Sequence, residues 1–191
     1  MRTFKITLSP GHRIGTLAML AGLTAAPNVW GQTMTSEEKI QNAMSAAPTS
    51  ISKDATIMDW PSEPKGKLKQ LRRGTNGWTC VPDAPDTPSN DPMCLDKMWM
   101  VWLEAFMGGT KPQITAPGIA YMFQGGSVAD NDDPSVTQPP AGKDWQIDPP
   151  HLMVVIPGKW DATRFTKDHH SGGPWVMFGG TPYEHLMVPV Q

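Results

Sequence analysis

The chain has 191 residues, with 16 Lys and Arg against 18 Asp and Glu, which gives a formal net charge of −2. That balance, without a basic cluster, argues against nucleic acid as a partner. The 20 prolines and 18 glycines make up about a fifth of the residues. This is below the roughly 25–30% that is typical of disordered chains, so we expect a folded domain with long loops.

The N-terminal segment over 1–31 has the pattern of a secretory signal peptide. Basic residues precede a short uncharged apolar run at 14–26, and Val29 and Gly31 are small enough for the −3 and −1 positions of a cleavage site. The run is shorter than the roughly 20 apolar residues of a membrane span. We therefore predict cleavage near Gly31 and a periplasmic or secreted protein with no membrane span.

A short helix or spacer is predicted over 32–50, ahead of a single globular domain over 51–191. Thr35 and Glu38 have the spacing of a capping box, and Pro48 ends the helical pattern. Short strands are predicted at 55–60, 69–73 and 78–81.

The strongest helical pattern in the chain covers 91–107. Asp91 followed by Pro92 is a favourable helix start. Apolar residues then recur at helical spacing from Leu95 to Phe106, and glycines follow at 108–109. Because most positions of this segment are apolar, we expect a buried helix.

The C-terminal half contains an internal echo. Tyr-Met-Phe-Gln-Gly-Gly at 121–126 resembles Trp-Val-Met-Phe-Gly-Gly at 175–180, and His-Leu-Met-Val occurs at both 151–154 and 185–188. We interpret these segments as two related hairpins, the first with a long polar insertion. The predicted fold class is α+β, with an antiparallel sheet of about six or seven short strands packed on the one buried helix.

The two cysteines, Cys80 and Cys94, are predicted to form a disulfide, because an even number of cysteines in an exported chain favours pairing. The bond would connect the end of a strand to the first turn of the 91–107 helix.

Two His-x-Met pairs suggest a metal site. In a strand, residues i and i+2 face the same side, so His151 with Met153, and His185 with Met187, each present an imidazole beside a thioether. These soft ligands suit copper or another transition metal. If the two strands are neighbours, the four groups could meet, although a packing role is the alternative for each histidine. A polar loop carries two further candidate ligands, His169 and His170.

Aromatic side chains offer a second kind of site, for a carbohydrate or a small organic ligand. The candidates are Tyr121, Trp145, Trp175 and Tyr183. The alternative role for these rings is core packing. No Gly-x-Ser-x-Gly, His-Glu-x-x-His or phosphate-binding glycine motif is present, so no catalytic residue is assigned.

Several strings over 50–190 resemble those of an exported bacterial protein family. They are Thr-Asn-Gly-Trp-Thr-Cys at 75–80, Asp-Pro-Met-Cys-Leu-Asp at 91–96, Gly-Gly-Pro-Trp-Val-Met at 172–177 and His-Leu-Met-Val-Pro at 185–189. The family has no assigned activity, so the resemblance implies one exported domain and nothing about mechanism.

The sequence thus predicts an exported binding protein for a metal ion, such as copper, or for another small ligand. A carbohydrate or small-molecule binding module is the first alternative, and a metal-dependent enzyme with an acidic residue near the histidines is the second.

Overall fold

The computed structural model describes residues 34–63, 66–161 and 164–190. The predicted signal peptide lies outside the described residues. Within them no helix is long and apolar enough to span a membrane. The described chain forms three helices and ten strands, in the order α1 (Ser36–Met44), α2 (Thr49–Ser52), β1 (Thr56–Asp59), β2 (Lys69–Arg72), β3 (Thr79–Val81), β4 (Met93–Leu95), α3 (Lys97–Gly108), β5 (Gly118–Met122), β6 (Gly126–Val128), β7 (Gln146–Asp148), β8 (His151–Val155), β9 (Trp175–Met177) and β10 (His185–Pro189).

Eight strands form one sheet in the order β2-β1-β3-β4-β5-β8-β10-β9. Neighbouring strands are antiparallel except β1 and β3, which run parallel. Strands β6 and β7 pair as a separate antiparallel ribbon inside the predicted polar insertion. The α+β class is confirmed, although the sheet has more strands than predicted and contains one parallel pair.

Helix α1 packs against the β1–β4 end of the sheet. Thr35 and Glu38 form the predicted capping box, in which the Thr35 backbone N–H donates to the Glu38 carboxylate at 2.7 Å. Ala43 is fully buried in the core on this side. Lys39 forms an ion pair with Asp59 of β1 at 2.8 Å. These contacts make the helix part of the compact unit Met34–Gln191.

Helix α3 begins at Lys97, so the predicted start at Asp91 is wrong. Asp96 is the N-cap, and its Oδ1 accepts hydrogen bonds from the backbone N–H groups of Met98 and Trp99, both at 2.9 Å. The preceding residues form β4, which is paired on both sides, and this pairing takes the place of the first predicted helical turns. The helix ends at Gly108, within the expected glycine pair, and the C-cap Gly109 has a φ of 64°, which suits glycine.

The two faces of the sheet carry separate apolar cores. Leu95 of β4 points to the core under α3, whereas its neighbour Cys94 points to the core under α1. The predicted disulfide between Cys80 and Cys94 is confirmed. It joins the paired strands β3 and β4 and does not reach α3, because residue 94 belongs to a strand.

The pairing of β5 with β8, and of β9 with β10, confirms the two related hairpins. Met122 lies opposite His151 in the first hairpin, and Met177 lies opposite His185 in the second. The echoed sequence segments therefore occupy the same places in the two hairpins.

Strands β8 and β10 are direct neighbours, so the two hairpins together form one half of the sheet. Their register places Met153 opposite Met187. Because the strands are antiparallel, the two His-Leu-Met segments are related by a local two-fold axis that passes between these two methionines.

Candidate functional site

A cavity of about 380 Å³ lies between helix α3 and the sheet face of β5, β8, β9 and β10. Its lining is largely apolar and includes several tryptophan and phenylalanine rings and several methionine thioethers. The polar side chains that reach it include Asp91, Ser127, Asp148 and the two imidazoles, His151 and His185. A largely apolar pocket with a few polar groups is the usual form of a ligand site.

His151, the first residue of β8, is 1% exposed. Burial lowers the pKa of His151 to about 4, so the ring is neutral at pH 7. Its Nδ1 lies 2.6 Å from the backbone oxygen of Pro149. A carbonyl oxygen only accepts, so Nδ1 carries the proton and Nε2 keeps its lone pair. Nε2 is buried and has no hydrogen-bond partner among the described residues.

His185, the first residue of β10, is in the same state. It is 1% exposed, and burial lowers its pKa to about 4. Its Nδ1 donates to the backbone oxygen of Tyr183 at 2.9 Å, which leaves a buried Nε2 lone pair with no partner in the described chain. Three rings meet the imidazole edge-on, with centroids 5.1–5.6 Å away: Trp99, Trp102 and Phe178.

Thioethers share the cavity with both imidazoles. Met153 and Met187, which were predicted to share a face with the histidines, do line the cavity with them. Four further methionines at the cavity were missed: Met93, Met107 and the two hairpin residues Met122 and Met177. The signal for the two hairpin residues was the internal echo, which places a methionine at the same position in both hairpins. Only the strand register shows that each one lies opposite a histidine.

The two His-x-Met pairs lie on neighbouring strands and line one cavity, as the interpretation required, but the two histidines are not directly opposite each other. His151 pairs with Pro189, which is four residues beyond His185 in β10. Four residues span about 13 Å along a strand. Both histidines begin their strands, and in an antiparallel pair the two first residues lie at opposite ends. Met153 and Met187 occupy the space between them.

His169 and His170 lie outside the cavity. Their rings are tilted by 38° with centroids 3.8 Å apart, and His170 is exposed. His169 Nδ1 lies 3.7 Å from Oδ1 of Asp148, a residue of the cavity lining. Neither His169 nor His170 lines the cavity that holds His151 and His185.

Of the four predicted aromatic ligand residues, only Trp145 lines the cavity. Tyr121 points to the core under α1. Trp175 is 1% exposed within the core under α3. The Tyr183 hydroxyl donates to the Thr110 backbone oxygen at 3.0 Å, so this ring has a packing role. Whether each ring faces the cavity depends on the face of the sheet to which it points and on the position of its loop. The aromatic residues alone do not predict either.

The aromatic walls are supplied mainly by Trp60, Trp99 and Trp102. Each donates its indole N–H to a backbone carbonyl, at 2.7, 3.1 and 3.2 Å respectively. Their polar atoms are thereby satisfied, and the rings act as apolar walls. Trp99 and Trp102 belong to the apolar pattern of the predicted 91–107 helix. That pattern predicted that they are buried but did not predict a cavity beside them.

Two carboxylates give one end of the cavity an acidic character. Burial raises the pKa of Asp91 to about 6 and that of Asp148 to about 6. Asp91 lies near His151, since a Cβ added to Gly126 would come 3.6 Å from Asp91 Cβ and 3.9 Å from His151 Cε1. Asp148 pairs with Gly126 in the β6–β7 ribbon and so lies on the same side. The His185 end is closed by aromatic rings instead.

No group of three or more His, Cys, Asp or Glu side chains is arranged to hold a metal ion in the ranges that the structure describes. Thioether sulfurs are a further class of metal ligand, and they line the same cavity as the two imidazoles. No family model matches the chain, and neither a curated protein nor a solved structure is significantly similar to it.

Proposed function

We propose that this chain is a metal-binding protein that takes a soft transition-metal ion, Cu(I), into the cavity between α3 and the sheet. One observation carries the proposal: both buried imidazoles hold their Nε2 lone pairs, without a partner in the described chain, in a cavity lined by methionines. An imidazole that binds a metal through one nitrogen usually donates its other N–H to a carbonyl or carboxylate. His151 and His185 both show this second contact.

The choice of ion follows from the ligands. Imidazole and thioether are neutral, and thioethers select soft ions such as Cu(I) over hard ions such as Mg²⁺ or Ca²⁺. A buried site without a compensating anionic ligand favours a monovalent ion, because burying charge is costly. The predicted signal peptide and the disulfide both favour an oxidising compartment outside the cytoplasm, where the protein would meet the metal.

The test is the metal content of protein exported with its own signal and purified without a histidine tag. After anaerobic loading with Cu(I), elemental mass spectrometry should find copper near stoichiometry in the wild type and little in His151→Gln/His185→Gln. The matched control is His169→Gln/His170→Gln, which removes two histidines outside the cavity and should keep its copper. Circular dichroism checks that all three proteins are folded. A wild type without copper after loading would contradict the proposal.

A small organic ligand is the second candidate, and the aromatic walls favour it. A volume of about 380 Å³ falls within the usual range of roughly 300–1,000 Å³ for such pockets. The two Nε2 atoms would then accept hydrogen bonds from the ligand. Native mass spectrometry of the exported protein decides between the two: an added organic mass in place of copper would support this candidate.

A further inference from the structure

We infer that the protein holds two soft-metal ions, one in each hairpin, and that each ion is bound by one histidine and two methionines. The first triad is His151, Met153 and Met122, and the second is His185, Met187 and Met177. The inference rests on the proposed function and adds to it the number of ions and the ligands of each.

The strand register groups the ligands in this way. Met122 lies directly across from His151, and Met177 directly across from His185. Cβ atoms of such partners are about 4.5–5.5 Å apart. The second methionine of each triad follows its histidine by two residues and points to the same face. Each imidazole therefore has one thioether across the sheet and one along its own strand.

Burial and contacts support the grouping. All six side chains are buried and line the same cavity. Gly126 lies beside two side chains of the first triad, since a Cβ there would come 3.0 Å from Met122 Cε and 3.9 Å from His151 Cε1. The end of the Met122 side chain and the His151 imidazole thus both pack next to Gly126.

Two ions fit this arrangement better than one shared ion. The backbone positions of the histidines are offset by four residues, about 13 Å, along the strands, and each imidazole has its own methionine directly across the sheet. The local two-fold axis repeats the same three ligands on either side of the Met153–Met187 contact, so each half is complete without the other's histidine.

Electrostatic repulsion between the two ions makes the second ion bind more weakly than the first. Two unit charges about 10 Å apart or closer, at an effective dielectric constant of 20, weaken the second step by a factor of about ten or more. The first triad lies at the end of the cavity with Asp91, and the second is enclosed by aromatic rings. We therefore expect the His151 triad to fill first.

The experiment is an anaerobic Cu(I) titration of the full exported protein in competition with bicinchoninate, a chromophoric Cu(I) chelator. The wild type should bind two equivalents. Met122→Leu and Met177→Leu conserve side-chain volume and should each lose one equivalent. Met107→Leu is the matched control, because this residue lines the same cavity outside both triads, and it should bind two. Thermal unfolding of the metal-free variants verifies that they are folded.

The outcomes separate this inference from the proposed function. One equivalent in the wild type, lost in both His151→Gln and His185→Gln, would leave the proposed function standing and overturn the two-site arrangement. Two equivalents unchanged in Met122→Leu and Met177→Leu would also overturn the triads. If the wild type binds no Cu(I), both the proposed function and this inference are contradicted.

Discussion

Four buried titratable side chains around the cavity respond to pH with opposite signs. Burial lowers the pKa of His151 and His185 to about 4, so the metal-free fold loses stability as pH falls from 6.5 toward 4. Burial raises the pKa of Asp91 and Asp148 to about 6, so these groups destabilise the fold as pH rises from about 3.8 through 6. Between pH 6 and pH 4 the two effects oppose each other.

Replacing Asp148 with Asn separates these effects. At pH 7 the variant avoids a buried carboxylate and should be more stable than the wild type by up to about 3 kcal/mol, since each unit of pKa shift corresponds to about 1.36 kcal/mol. At pH 4 the wild-type carboxyl is protonated, and the advantage should disappear. Urea unfolding of both metal-free proteins at pH 7, 5.5 and 4 measures the difference in stability between the variant and the wild type. A difference that stays constant with pH would contradict the assignment.

At the level of elements, sequence reasoning located most of the strands and both hairpins but misplaced the start of helix α3. Asp91-Pro92 and Asp96 are both plausible helix starts locally. The choice between them is made by long-range contacts, because residues 93–95 pair with β3 and β5. The parallel pairing of β1 with β3 depends equally on partners distant in sequence. Strand register also explains why two of the six proposed metal ligands escaped prediction.

Asp96 is a position at which the start of helix α3 can be tested. Its carboxylate accepts from two backbone N–H groups of the first helical turn and from the Ile119 N–H of β5 at 2.6 Å. Asp96→Ala should therefore reduce the free energy of unfolding by about 3 kcal/mol. The variant loses the helix N-cap and leaves the Ile119 N–H without its acceptor.

The matched control for that change is Asp168→Ala. Asp168 accepts one backbone hydrogen bond, from His170, in an exposed turn. Its loss should change the free energy of unfolding by no more than about 0.5 kcal/mol. The free energy of unfolding of both variants is measured by urea denaturation. An equal loss of stability in the two variants would show that Asp96 does not connect the helix to the sheet.

At the scale of the whole molecule, the two hairpins meet across β8 and β10, and α3 covers their shared face. The disulfide and helix α1 stabilise the other end of the sheet, away from the cavity. The period-two pattern of His-x-Met predicted which side chains share a face. It did not predict that an antiparallel pairing would place the histidines at opposite ends and the methionines between them.

The central claim is that thioethers and imidazoles of this cavity bind copper. X-ray absorption at the copper edge, on exported protein loaded with Cu(I), tests it most directly because it identifies the atoms bound to the metal. We expect about two sulfur ligands and one nitrogen ligand for each copper. A first shell of nitrogen and oxygen without sulfur would contradict it.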